Sequence, residues 1–295
     1  MNSSFEFVTG LPQIFGYIAS FAFGALIGSF LNVVIHRVPL RESIVFPNSA
    51  CPKCQKPIKP YDNIPILSWL ILRGKCRNCK TTISARYPSV ELLTAVVFVL
   101  VFGAIGFNPF LPVALIFSAT MIALIFIDAE HMILPNVITY PLFLAAILVR
   151  VIYPIAFGAE YFSDLTHIPL SSFETLPVWL VSLLGGLLGA LLGGGSLWLV
   201  GEIWKRLRGI DAMGLGDVKM MLGVGALLGW RLTFLAIFIS AFLGALGGML
   251  LIAKQKDKSL QTQIPFGIFL GIGSIVSLLW GNQLAAWYIR TFIPY

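Results

Sequence analysis

The sequence predicts an all-α polytopic membrane protein with about eight transmembrane helices, and three observations carry that expectation. The 295 residues are 58% hydrophobic and only 11% charged, with a mean hydropathy of +0.89, whereas soluble domains are about a quarter charged. Apolar runs approaching the ~20 residues that a helix needs to cross hydrocarbon recur near 14–35, 88–106, 110–127, 135–153, 177–201, 216–230, 232–253 and 264–289. The basic residues, finally, are sorted by loop.

The first run should be a retained helix. Met1 to Gln13 contains no Lys or Arg, and a cleavable signal needs a positive start. The second and third runs are parted only by Gly106-Phe107-Asn108-Pro109, whose composition is that of a tight turn. In the fifth, Gly185, Gly189 and Gly193 share one face, and in the seventh Gly244 and Gly248 do the same. Small residues at this spacing let helices approach closely in lipid. Gly193-Gly194-Gly195 reads as packing rather than a nucleotide loop, because no strand precedes it. The sixth run is short and glycine-rich, so its bounds are the least defined.

Charge tests this count. With eight spans and an exterior N-terminus, segments 36–87, 128–135, 202–219 and 254–263 face the cytoplasm and hold 10, 0, 4 and 3 of the 20 Lys and Arg. The loop from Pro154 to Leu176 has none and carries Glu160, Asp164 and Glu174. This positive-inside pattern places both termini outside. It also accounts for the net charge of +7 by topology and lipid contact rather than nucleic acid. Arg150 is expected to snorkel to the exterior interface, and His36 and His167 are expected at an interface and in a loop.

The polar segment 36–87 carries all four cysteines. Cys51-Pro52-Lys53-Cys54 and Cys76-Arg77-Asn78-Cys79 are two C-x2-C pairs, 21 residues apart. Paired knuckles aim four sulfurs at one tetrahedral zinc ion. A cytoplasmic loop disfavours disulfides. A metal would supply folding energy that a loop of this size lacks. The fold class is therefore completed by a zinc-stabilised cytoplasmic loop. Between the pairs, 61–70 is apolar enough to lie on the knuckles or on the membrane surface. The expected division is 1–35 as exterior N-terminus and first helix, 36–87 as zinc loop, and 88–295 as a seven-helix core.

Two acids stand at the ends of apolar runs. Asp128 closes the third and Asp217, in Gly214-Leu215-Gly216-Asp217-Val218-Lys219, opens the sixth. The topology puts both at the cytoplasmic membrane edge, with 88 residues between them in sequence but at one depth. An ionisable group in a span is a functional candidate by default. Two close carboxylates share a proton, so one can take a proton from water while the other gives one to a carbonyl oxygen. Gly214 and Gly216 would let an extended backbone come near. Glu130 and His131 compete as metal ligands or loop caps.

These residues carry a resemblance. Gly28-Ser29-Phe30-Leu31-Asn32 through His36-Arg37, the paired C-x2-C loop, Ser84-Ala85-Arg86-Tyr87-Pro88 with Glu91, Asp128 with Pro135-Asn136, Gly214 to Asp217 with Lys219, and Ile264-Pro265-Phe266-Gly267 resemble, in order, the motifs of the type IV prepilin peptidases. These are bifunctional leader peptidase/N-methyltransferases of the GxGD aspartic protease group. One departure is Ile268, where proline is expected. The resemblance implies catalytic Asp128 and Asp217, supported by Gly214, Gly216 and Lys219. It implies one structural zinc ion on Cys51, Cys54, Cys76 and Cys79, and S-adenosylmethionine as methyl donor. The substrates would be type IV prepilins or type II secretion pseudopilins, cleaved at the cytoplasmic face of the bacterial inner membrane. Two rival readings remain: a transporter with acidic proton-relay residues, and a relative that cleaves without methylating.

Overall fold

The computed structural model describes residues 4–158, 176–209, 213–254 and 265–292. The acids expected in the exterior loop, with His167, Ile264 and the 255–263 lysines, lie outside these. The described residues are helical and contain no strand, only two isolated β-bridges. After a short α1 (Ser4–Thr9) come α2 (Gln13–Arg37), α3 (Leu67–Ile71), α4 (Arg86–Ile105), α5 (Leu111–His131) and α6 (Asn136–Phe157). Then follow α7 (Val178–Ala190), a π turn (Leu191–Gly195), α8 (Ser196–Arg208), α9 (Leu215–Lys254) and α10 (Phe266–Phe292). Seven helices are long and apolar enough to cross a membrane, counting α7 through α8 as one. The chain is a multi-pass membrane protein.

The count of seven and the expected eight differ by one residue, Gly229. It sits inside the 40-residue α9 with φ 75° and ψ 173°, a conformation open essentially to glycine alone. α9 is therefore two helical arms, 215–228 and 230–254, close to the sixth and seventh apolar runs.

The chain divides into two compact units, 1–123 and 124–295. In the first, α2 and α4 pack antiparallel, with glycines at the crossing. A Cβ at Gly24 would lie 2.7 Å from the Ala95 Cα, and one at Gly28 2.7 Å from the Glu91 Cα. The segment between them carries α3 and the cysteines. Glu91 is buried, and its Oε2 accepts the Ile66 N–H at 2.7 Å.

The second unit holds the last turns of α5 and all later helices. Its centre is the first arm of α9, from which Met220, Met221, Val224, Ala226 and Leu228 are buried. Two residues of the expected glycine face, Gly189 and Gly193, pack against it. A side chain at Gly189 would strike the Gly225 carbonyl, and one at Gly193 the Met221 carbonyl. In α9, Gly244 and Gly247 meet the Phe266 and Phe269 rings of α10.

Arg150 corrects the sequence reading. It is fully buried, and donates from Nε to the Ala226 carbonyl at 2.9 Å and from Nη2 to the Leu227 carbonyl at 2.7 Å. Snorkelling requires open space along the helix, and here the side chain has turned inward toward the break at Gly229.

Candidate active site and metal centre

Three helix ends meet around two carboxylates. Asp128 lies in the last turn of α5 and is buried. Asp217 is in the first turn of α9, where negative charge is favoured by the helix dipole. The third end is the N-terminus of α10, whose Ile268 N–H donates to Asp128 Oδ2 at 3.2 Å. The first N–H groups of a helix have no partner within it, so a carboxylate from a neighbouring helix serves as their cap. Gly267 makes the approach possible. A Cβ there would fall 2.7 Å from Asp128 Oδ2 and 3.2 Å from Asp217 Oδ1, so those two oxygens are at most about 6 Å apart.

The pair opens onto a cavity of about 270 Å³. Met132, Ile133, Leu134 and Asn136 line it from the turn after α5, and Gly214, Gly216 and Lys219 from the start of α9. Met132 takes φ 52°, the left-handed turn that ends α5 and brings the chain round to Asn136. Lys219 donates to Asn136 Oδ1 at 2.9 Å and lies 5.2 Å from the centre of the Tyr140 ring. It thus ties α9 to α6 at the edge of the cavity that the carboxylates line. A Cβ at Gly216 would sit 2.9 Å from the Leu134 Cβ, and one at Gly214 3.1 Å from Asp217 Oδ2. Gly216 thus lets the start of α9 close on Leu134, and Gly214 leaves room for the Asp217 carboxylate, while both glycines line the cavity. Glu130 and His131 are exposed at the end of α5.

The four cysteine sulfurs converge in the first unit, all within 4.8 Å of one another. Cys51 Sγ and Cys79 Sγ are 3.8 Å apart, near the ~3.8 Å edge of a tetrahedron with metal–sulfur bonds of 2.3 Å. Among the described residues this is the one His, Cys, Asp and Glu cluster tight enough to hold a metal ion. The two knuckles are copies. In each, the first cysteine N–H bonds the carbonyl five residues on, Cys51 to Lys56 and Cys76 to Thr81. The residue after the second cysteine, Gln55 or Lys80, takes φ 58°. The N–H groups of Cys54 and Lys53 beside Cys51 bring its thiol down to about 6. For Cys79 the Thr81 N–H acts the same way but is outweighed by burial and the neighbouring sulfurs, which push it up to about 11. Four thiolates at this spacing repel without a cation, so the donor set fits one divalent ion. Arg77 grips Asp62 through both Nε and Nη2, at 2.6 to 2.9 Å, and holds that carboxyl below its usual range. This pair ties the second knuckle to the segment before α3.

Residues 22–105 match the family described as Bacterial Peptidase A24 N-terminal domain, and residues 115–249 match the Type IV leader peptidase family. The chain belongs to the type IV leader peptidase family. It is similar to the "Prepilin leader peptidase/N-methyltransferase" of Aeromonas salmonicida (strain A449), 34% identical over 99% of this chain and 100% of that one. The protein of the same name from Pseudomonas aeruginosa is 34% identical over 97% of each chain, and that from Neisseria gonorrhoeae 38% identical over 79% of this chain and 82% of its own. No solved structure matches. Within this family fold, sequence reasoning named Asp128, Asp217 and the cysteines but assigned no role to Gly267 or Ile268. Pro265 just ahead of a helix start was the available signal, since it announces exposed N–H groups that need an acceptor.

Proposed function

We propose that the chain is a prepilin leader peptidase and N-methyltransferase whose peptidase chemistry is carried by Asp128 and Asp217. The observation that supports it is the meeting of both carboxylates at Gly267, beside a cavity at the ends of three helices. One carboxylate takes a proton from a water molecule, which attacks the scissile carbonyl. The other donates a proton to the carbonyl oxygen, and the carbon–nitrogen bond then breaks as the leaving amine is protonated. The Ile268 N–H on Asp128 Oδ2 fixes which oxygen of that acid faces the substrate. Lys219 and Asn136 hold the start of α9 in place.

The substrates are type IV prepilins or type II secretion pseudopilins, cleaved after their basic leader at the cytoplasmic face of the bacterial inner membrane. The exposed amine is then methylated, with S-adenosylmethionine supplying an electrophilic methyl group. The ion on Cys51, Cys54, Cys76 and Cys79 is zinc, and its role is to fold the 36–87 loop, with the peptidase core in 88–295 and residues 1–35 leading into it.

Asp128→Asn and Asp217→Asn should each abolish leader cleavage of a co-expressed prepilin while the protein accumulates normally in the membrane. N-terminal mass analysis of the pilin reads both the cut and the methyl group. Cleavage above a few per cent by either variant would sink the proposal.

A further inference from the structure

We infer that Arg150 is a positioning residue for Asp217: it caps the broken end of the helical arm that carries this acid. The inference rests on the reading of Asp128 and Asp217 as the peptidase pair.

The arm 215–228 begins with Asp217 and ends at the Gly229 break. At φ 75° and ψ 173° the chain leaves the helix axis, so N–H groups of the following turn no longer point at the last carbonyls. In a membrane those carbonyls find no water. The Arg150 guanidinium takes their place as donor, with Nε on Ala226 and Nη2 on Leu227 at 2.9 and 2.7 Å. Its planar fork suits two adjacent acceptors, and its charge complements the negative end of the helix dipole. Gly186 leaves room for it, because a Cβ there would lie 3.0 Å from Arg150 Cγ and 2.9 Å from the Ala226 oxygen.

The other end of the same arm is tied to the same helix. Lys219 donates to Asn136 at the start of α6, and Arg150 lies 14 residues further along α6, about 21 Å at 1.5 Å per residue. Two attachments on one helix fix both the height and the rotation of the Asp217 arm. Either alone would leave it free to slide or turn. Displacement of a reacting group by about 1 Å can cost 10²-fold in rate, so the remote arginine bears on the chemistry through geometry.

Arg150→Met should lower kcat for leader cleavage at least 30-fold with KM within threefold, because the substrate still binds while the acid is displaced. Methylation of a pre-cleaved pilin by the same preparation should stay within twofold, showing an intact fold. Arg150→Lys, with donors for one carbonyl, should recover part of kcat. Gly229→Ala should also lower kcat, and the double variant should be no more than threefold worse than the poorer single one. Cleavage by Arg150→Met within threefold of normal would overturn the inference, as would equal losses of cleavage and methylation. If Arg150→Met fails to accumulate, Arg150→Lys decides: kcat about tenfold down at unchanged KM supports the inference, and unchanged kcat refutes it. Asp217→Asn run alongside separates the two levels. If it cleaves, the underlying reading fails. If it is inactive while Arg150→Met is fully active, only the positioning role fails.

Discussion

A methyl group at Gly267 would fall 2.7 Å from Asp128 Oδ2 and 3.1 Å from Asp128 Cγ, distances at which the carboxylate must move. Gly267→Ala is therefore expected to reduce kcat for leader cleavage by roughly 100-fold, the usual cost of about 1 Å of misalignment, without reducing the amount of protein in the membrane. Gly103→Ala is the control. Its Cβ would come no nearer than 3.5 Å to its closest neighbour, the Tyr17 side chain, so cleavage should stay within twofold. A rate unchanged by Gly267→Ala would mean that the carboxylates are not held by the α10 terminus. Residues of this kind explain what the sequence could and could not reveal. Asp128 and Asp217 stood out because an acid in an apolar run is costly and so marks itself. Gly267 carried no such mark, since its role is the absence of a side chain facing residues distant in sequence. Arg150 was misread for a related reason: its burial is decided by Gly186 and Gly229 on other helices, and periodicity along α6 carries no information about them.

The knuckles illustrate the same limit for an element. The C-x2-C spacing was sufficient to predict four converging sulfurs, because the ligand geometry is local to each pair. The hydrogen bonds from Cys51 to Lys56 and from Cys76 to Thr81 and the shared φ of 58° at Gln55 and Lys80 were not legible, because Gln and Lys carry no preference for that conformation. A left-handed residue costs about 1–2 kcal/mol when it is not glycine. Gln55→Gly and Lys80→Gly should therefore keep the metal and resist its removal by chelators as well as the parent or better. Lys80→Pro should lose it, because proline is confined to φ near −65° and cannot make the turn. On the zinc assignment proposed above, any single Cys→Ser change should likewise reduce the metal found by elemental analysis to near zero, and expose the 38–85 segment to protease. Retention of a full equivalent of zinc by Lys80→Pro would show that the knuckle turn is not needed for the site.

Taken whole, the molecule poses a question of parity that apolar runs alone left loose at the sixth span. α9 runs from Leu215 to Lys254, and as one straight helix its 40 residues would reach about 60 Å at 1.5 Å per residue, twice the ~30 Å of a hydrocarbon core. The site resolves this. Asp217 at the start of α9 and Gly267 at the start of α10 lie side by side, so the chain leaves one membrane face after residue 217 and is back at that face by residue 267. The break at Gly229 is where it turns. With the two arms of α9 counted as separate crossings we propose eight, and an even number would put both termini on one side. The Lys and Arg of 36–87 and 202–219, 10 and 4 in number, predict which side by attraction to the cytoplasm. A fluorescent protein that matures only in the cytoplasm should thus light up when fused after residue 209 or 258 and stay dark when fused after 292. A phosphatase that is active only outside should give the reverse. A fluorescent fusion after 292 together with dark ones after 209 and 258 would require the opposite orientation, fluorescence after both 258 and 292 would mean that α10 does not cross, and opposite readouts after 209 and 258 would contradict the return of the chain to the Asp217 face.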